Sequence, residues 1–304
     1  MRVRASIGTL AAVGILDARL DDAPTTAYLL QDCERCLARC AFCGLSYGMD
    51  RIARVTWPRT ELEVLLPELR RFQRVCLQTV LKRGWIEEAT RILEAVHSVS
   101  RHVSIALTPV PKSYLRNLAE LCDFVGVGLD APSPASFRRC GKPFTWSTYM
   151  KFIESCAEVF GKGAVYVHII AGLGDSVADV LRVMKRLYSM GCRVALFSYV
   201  ATTPARFPGI DVLSYRFLQV ARQCLEEGID PEPYVERLEP TPRFRRAPPI
   251  SNPLMAVLTS GCPGCNRPFY NESPRGPIMN FPSLRMVERL RESVERELEL
   301  VGAL

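Results

Sequence analysis

"TAYLLQDCERCLARCAFCGLSYGMD", Thr26 to Asp50, joins a strand-like run to four cysteines crowded into eleven positions. Thr26–Gln31 is largely apolar, as a strand buried on both faces should be. Cys33, Cys36, Cys40 and Cys43 follow almost at once. Read from the second, they form a C-x3-C-x2-C pattern. Three thiolates held this closely can each bind a different iron of one cubane cluster, leaving the fourth iron without a protein ligand. An open metal position suits substrate binding or catalysis, whereas a closed one is structural. A zinc site made of all four cysteines is the competing reading. Paired C-x-x-C zinc ligands, however, normally have a longer spacer than the three residues between Cys36 and Cys40.

Outward from this stretch, strand and helix patterns alternate. Further strand-like runs are Arg74–Val80, His102–Thr108, Asp123–Asp130, Ala164–Gly172 and Arg193–Val200, rich in Val, Ile, Leu and Phe. Helical patterns cover Arg59–Phe72, Trp85–Ser100, Trp146–Phe160, Ser176–Gly191 and Ser214–Gly228. Six βα units predict an α/β fold with a parallel sheet and helical crossovers. The alternation alone does not decide between an open doubly wound sheet and a curved partial barrel. The organisation reads as an N-terminal extension (1–24), a βα body (25–228) and a C-terminal extension (229–304).

The 304 residues are 48% hydrophobic and 23% charged, as in a soluble globular chain. No apolar stretch approaches the ~20 residues that span a bilayer, so no membrane role is expected. Arg2 and Arg4 precede an apolar run, Ile7–Leu16, that superficially resembles a signal peptide. It contains Gly8 and Gly14 and lacks a small-x-small cleavage site, so it reads as a strand or turn leading into the fold. The net charge of +7 is diffuse, which argues against nucleic acid and fits an acidic protein partner. Twelve cysteines would suit a disulfide framework in a secreted protein. Here Cys76, Cys122, Cys156, Cys192 and Cys224 stand singly in apolar or helical stretches, as buried free thiols do. A reducing, cytoplasmic location with metal-binding cysteine groups is therefore expected.

After Gly228 the pattern breaks. Asp230–Pro253 is rich in Pro and Arg, and Leu258–Pro282 is dense in Pro, Gly and Cys. Ser283–Gly302 reads as one closing amphipathic helix capped by Ser283. Cys262-Pro263-Gly264-Cys265 is by itself a redox pair, half a zinc site or a cluster site. With Cys33 it would supply three ligands for a second cluster. Ser260 is a candidate for the fourth.

Cys36, Cys40 and Cys43, with Phe42 before the last cysteine and six βα units around them, resemble the radical S-adenosylmethionine (SAM) superfamily. The resemblance implies a partial (β/α)6 TIM-like barrel over about Thr25–Gly228. It also implies a 4Fe–4S cluster whose open iron binds SAM, and reductive cleavage of SAM to a radical that abstracts hydrogen from an unactivated carbon. Phe42 matches the position beside the adenine. Further SAM contacts are expected at strand C-termini. Gln78 and Thr79 stand where many members have Gly-Gly-Glu, which this chain lacks. Asp130 would hold the ribose hydroxyls, or cap a turn. Gly172 and Gly174 would admit the backbone close to adenine, with Asp175 beside them. His168 is a substrate contact or a satisfied core histidine.

More narrowly, "GVGLDAPSP", "VHIIAGLGDS" and the run from Thr259 to Pro282 resemble biotin-synthase-like proteins and a subunit of the archaeal-type two-protein lipoyl synthases. That resemblance implies two 4Fe–4S clusters, one held by Cys36, Cys40 and Cys43 and one auxiliary and sacrificial. It implies sulfur insertion at C6 or C8 of an octanoyl-lysine. The implied partners are an octanoylated lipoyl carrier protein or domain, a paralogous lipoyl synthase subunit, and an electron donor such as ferredoxin or flavodoxin. The chain lacks the N-terminal three-cysteine motif and the Arg-Ser-Ser-Tyr ending of single-chain lipoyl synthases. Another radical SAM outcome (biotin synthase, methyltransferase, mutase) and a non-catalytic cluster or zinc scaffold remain alternatives. Arg243, Arg245 and Arg246, just ahead of the C-terminal cysteines, are the local candidates for docking an acidic carrier.

Overall fold

The computed structural model describes residues 1–273 and 275–304. Its first half runs β1 (Arg2–Ala5), α1 (Ile7–Ala12), β2 (Thr26–Gln31), the hairpin β3 (Arg51–Ile52) and β4 (Val55–Thr56), β5 (Arg59–Glu61), α2 (Leu62–Leu65), β6 (Arg74–Gln78), α3 (Trp85–His97), β7 (Val103–Leu107), α4 (Lys112–Ala119) and β8 (Phe124–Asp130). The second half runs α5 (Pro134–Arg139), α6 (Trp146–Phe160), β9 (Val165–Ala171), α7 (Val177–Ser189), β10 (Arg193–Ser198), α8 (Val212–Glu226), the pair β11 (Val235–Arg237) and β12 (Arg243–Phe244), α9 (Pro253–Ala256), α10 (Leu284–Arg289) and α11 (Arg291–Leu300).

One sheet of eight strands, ordered β10-β9-β8-β7-β6-β2-β1-β5, organises the chain. The six strands from β2 to β10 are parallel neighbours, as the alternation predicts, and match the expected runs to within two residues at either end. The sheet is that of a partial TIM-like barrel. Outward residues such as Val125, Val127 and Leu129 are buried under the helices. The helices present matching apolar stripes, for example Trp85, Ala89, Ile92, Leu93 and Val96 on α3. Local capping agrees with the pattern. Ser176 and Asp179 form a capping box at α7, and Asp211 caps α8, each cap contributing about 1 kcal/mol.

Three expectations differ in detail. Arg59–Phe72 is not one helix. Arg59–Glu61 pairs with β1, and Pro67, which has no N–H to donate, stands at the start of a tight 3-10 stretch, Leu66–Arg71. Ile7–Leu16, expected as a strand or turn leading into the fold, opens with helix α1 capped by Ser6; β1 before it pairs antiparallel with β2, and Val3, Ala5, Thr9 and Leu10 are buried. The closing helix is broken at Leu290 into α10 and α11, so that Met286 and Val287 pack inward as well as Val294 and Leu298.

The C-terminal extension occupies the open side of the barrel between β10 and β2. Ser260 Oγ accepts from Leu196 N–H of β10 (2.8 Å), and Asn271 Nδ2 donates to Ser198 O (2.7 Å). On the other side Asn266 Oδ1 accepts from Thr25 N–H (3.0 Å), and Thr26 Oγ1 donates to Gly264 O (2.9 Å). Buried Arg216 of α8 donates to Met279 O and Ile278 O, both at 2.6 Å, and pairs with Glu297. An irregular segment can be buried here because side chains satisfy its backbone groups. Among the described residues no helix is long and apolar enough to cross a membrane.

Candidate functional site

A parallel strand alternates its side chains, so every second residue of the barrel faces inward. These inward residues line a cavity of about 240 Å³: Cys76 and Gln78 on β6, Ser104 and Ala106 on β7, Gly126, Gly128 and Asp130 on β8, Tyr166, His168 and Ile170 on β9, Ala195 and Phe197 on β10. Gly126 is needed there. A Cβ on it would stand 3.0 Å from His168 Nε2. The lining is mostly apolar, with a few polar groups and several thiols, as in small-molecule sites.

The cysteine loop leaves the C-terminal end of β2, where α/β barrels place their chemistry. Its entry is clamped at Asp32, which accepts from Arg4 Nε (2.9 Å) and Arg59 Nε (2.8 Å) and pairs with Arg2 (2.9 Å). Burial acts to raise the Asp32 pKa, but Arg59 and Arg4 outweigh it and hold the carboxyl below its usual range. β1 and β5 supply these arginines, which gives the N-terminal strands a part in fixing the loop. Further along, Cys36 N–H donates to Leu45 O (3.0 Å), and Cys36 Sγ accepts from Leu81 N–H (3.3 Å). Ala41 N–H donates to Cys140 O (2.8 Å), and Thr203 Oγ1 donates to Ala41 O (2.8 Å). Cys40, Cys43 and Phe42 line the cavity; Cys36 lies just behind, against Leu45, Val80 and Tyr270. Burial pushes the thiols of Cys40 and Cys43 up to about 11 and about 12, so ligand formation requires a metal to displace their protons.

Lys142 was not among the sequence candidates. Its buried ammonium donates to Asp130 Oδ2 (2.5 Å) and Gly128 O (2.7 Å), and sits over the rings of Tyr149 (5.1 Å) and Phe42 (6.0 Å). Burial acts to lower its pKa, and the charges of Asp130 and Cys40 outweigh this and raise it, so Lys142 stays charged. A fixed cation beside Cys40 offsets negative charge gathered by the thiolates. Only spatial proximity reveals it, because "GKPF" carries no motif.

The other predicted residues divide. Gln78, Thr79 and Asp130 line the cavity. Gln78 Nε2 is 3.4 Å from Tyr270 Oη, and Thr79 Oγ1 donates to Ala106 O (2.7 Å). Asp130 has φ +64°, and its Oδ2 is engaged by Lys142. Gly172 and Gly174 are not lining residues. Gly172, at φ +100°, packs on Gly209, whose carbonyl carbon a Cβ would approach to 2.6 Å, and Gly174 O accepts from Arg139 (3.2 Å). Their conformational freedom serves loop packing. Asp175 accepts from Ser133 Oγ (2.6 Å). His168 faces the cavity edge-on to Phe197, and burial lowers its pKa to about 4, so the ring is neutral.

The C-terminal pair Cys262 and Cys265 also lines the cavity, whereas Cys33 does not. Ser260 Oγ accepts from Leu196 N–H, which anchors it to β10, and Ser260 does not line the cavity. Cys76, grouped by sequence with the core thiols, faces the cavity instead of the helices. Arg243, Arg245 and Arg246 lie away from it. Phe244 between them stacks on Phe217 of α8 at 4.4 Å, Arg245 donates to Val235 O, and Arg246 covers Tyr234. Arg245 and Arg246 are thus engaged around β11 and β12, apart from the cavity lining.

The sequence model described as "Radical SAM superfamily" matches residues 30–187. The chain belongs to the radical SAM superfamily. Membership implies a 4Fe–4S cluster and SAM, and the loop fits them: three thiols on one loop after the C-terminal end of β2, an amide already donating to one sulfur, and an aromatic ring and a fixed cation beside the cavity. Among solved structures, the radical SAM fold is shared with HydG, a maturase of the FeFe-hydrogenase, at TM-score 0.52 and 12% identity over 65% of this chain and 48% of that one. Coproporphyrinogen III oxidase HemN from Escherichia coli, a radical SAM enzyme, matches at TM-score 0.37 and 14% identity over 46% and 35%. The radical SAM methyltransferase TsrM from Kitasatospora setae matches at TM-score 0.39 and 14% identity over 57% and 36%. The radical SAM chain thus spans about half or less of the length of these structures. No sequence among the curated proteins matches it.

Proposed function

We propose that this radical SAM chain inserts sulfur at an unactivated carbon of an octanoyl group amide-linked to a carrier lysine, in the manner of one subunit of a two-protein lipoyl synthase. The observation that carries the reading is a second thiol pair, Cys262 and Cys265, in the same cavity as Cys40 and Cys43. When bound, a 4Fe–4S cluster with SAM would supply a hydrogen-abstracting radical, and a second cluster would supply sulfur. The chain's own residues give the rest. Cys36, Cys40 and Cys43 present three thiolates from one clamped loop. Phe42, Gln78, Thr79 and Asp130 offer an aromatic face and polar groups for SAM, and Lys142 holds Asp130 in place. Ala106, Ile170 and Phe197 give the apolar walls that an alkyl chain requires and that exclude water from a reactive carbon. A carrier, a paralogous subunit and a ferredoxin or flavodoxin complete the proposal.

Mass spectrometry of an octanoyl-lysine carrier peptide tests it. The anaerobically reconstituted chain is supplied with SAM and a reductant, with and without a candidate paralogue. Gain of sulfur by the peptide is the expected result. SAM cleavage that never delivers sulfur to the octanoyl peptide in either arm would overturn the reading and leave a radical SAM enzyme of another outcome.

A further inference from the structure

We infer that Cys76 is the third thiolate of the C-terminal cysteine pair, and that Cys76, Cys262 and Cys265 together hold a second iron–sulfur cluster inside the barrel, with Arg267 as its counter-charge. The inference rests on the proposed second cluster and changes its ligand set, replacing Cys33.

The strand register places Cys76. Tyr28 of β2 and Cys76 of β6 are direct partners in adjacent parallel strands, so both side chains face inward, about 4.8 Å apart across the sheet. Tyr28 Oη is 3.5 Å from Cys265 Sγ and accepts from Arg267 N–H (2.9 Å). The turn between Cys262 and Cys265 is pinned to the beginnings of the same two strands. Pro263 O accepts from Arg74 Nε (3.0 Å), two residues before Cys76, and Gly264 O accepts from Thr26 Oγ1 (2.9 Å). All three thiols line the cavity. Cys33 lies five residues beyond Tyr28 toward the other end of β2, roughly 16 Å along an extended chain. Its carbonyl accepts from Arg4 (3.0 Å).

An independent observation points to an anion here. Arg267 lines the cavity and is only 8% exposed. It donates to Ser260 O (2.5 Å) and stacks on Phe197 at 3.8 Å. Among the described residues no carboxylate makes an ion pair with it; the buried Glu272 carboxyl feels its charge but is bonded to Asn280. A guanidinium buried without a counter-ion costs several kcal/mol. A cluster ligated by three thiolates carries net negative charge and would remove that cost. Among the described residues no three Cys, His, Asp or Glu side chains converge on a single-ion site. The thiolates of a cluster bind different irons and need not converge on one point, so three thiols from two chain segments are compatible with a multi-iron cluster.

The test uses the full chain with Cys36, Cys40 and Cys43 all replaced by Ala, so that iron reports on the second site alone. After anaerobic reconstitution, iron, sulfide and Mössbauer spectra are measured. The background is expected to hold about one cluster per chain. Adding Cys76→Ser should lower the iron at least ~5-fold, and adding Cys33→Ser should leave it unchanged. Thermal melts of the cluster-free variants check the fold. Alkylation of the unmutated chain gives a reading free of substitutions: Cys76, Cys262 and Cys265 should be protected together when the cluster is present and labelled together after chelation. A spectrum and iron content indifferent to Cys76→Ser, or protection of Cys33 in place of Cys76, overturns the inference and leaves the proposed function standing. A background chain that holds no iron overturns both.

Discussion

The cysteine loop after β2 and the cysteine turn of the C-terminal extension line one cavity but are built differently. The first is local. Its three ligands lie within a few residues, and its supports, Asp32 with Arg4 and Arg59, act on the loop's entry. The second is assembled from distant chain. Its turn hangs on Arg74 and Thr26, it faces a thiol on β6, and its cation comes from the extension itself. A local site tolerates change elsewhere in the fold. An assembled one depends on the barrel being closed by Ser260, Asn266 and Asn271.

The comparison breaks most sharply at the thiols. Replacing Cys36, Cys40 or Cys43 with Ala should lower reductive SAM cleavage by at least ~10³-fold, because each loss removes one iron's only protein ligand. Deoxyadenosine formation measures this. Cys262→Ala should leave that activity within ~3-fold while abolishing sulfur transfer to the octanoyl peptide. Equal loss of both would mean that the turn serves the fold or the first cluster, and the division into two sites would fail.

How legible each region was follows from the same contrast. C-x3-C-x2-C with Phe42 is readable because cluster geometry constrains neighbours in sequence. The six strands are readable because two-sided burial leaves continuous apolar runs. Cys76 was not, since a thiol in such a run looks the same whether it faces helices or cavity, and only the pairing with Tyr28 decides. Lys142 was hidden for a related reason: its importance comes from Asp130 and Cys40, which the fold brings to it. Gly172 and Gly174 read ambiguously because a positive φ serves a loop–loop contact, such as that of Gly172 with Gly209, as readily as a ligand. Arg59–Phe72 misled because pairing of Arg59–Glu61 with β1 overrides a helical spacing of leucines.

A smaller effect sharpens the role of Lys142. Lys142→Met leaves the Asp130 carboxylate in the cavity wall without its partner and should destabilise the chain by about 3 kcal/mol. Adding Asp130→Asn removes the stranded charge and should recover most of that loss. Thermal melts of the two single variants and the double variant give the coupling. SAM binding, followed by calorimetry on the reconstituted chain, should weaken in both Lys142 variants. If the single and double variants are equally destabilised, packing of the lysine stem against Tyr149 matters more than its charge.

The smallest expected effect concerns pH. His168 sits between the two regions, and its pKa falls from 6.5 to about 4 because burial disfavours the charged ring; Asp130 opposes this, while Arg267 and Lys142 add to it. Between these values the unfolded chain binds a proton that the folded chain does not, so stability rises with pH across that window. The contribution is complete above about pH 6.5 and is lost as the pH falls toward 4. It amounts to at most about 3 kcal/mol, and to less where water in the cavity solvates the ring. Melts of the cluster-free chain and of its His168→Gln variant from pH 7 to pH 4 isolate it, since carboxylates titrate alike in both. The wild type should lose more stability than the variant across this range. Parallel curves would show that the imidazole is protonated in place, and the cavity between the two cysteine regions would then be wet.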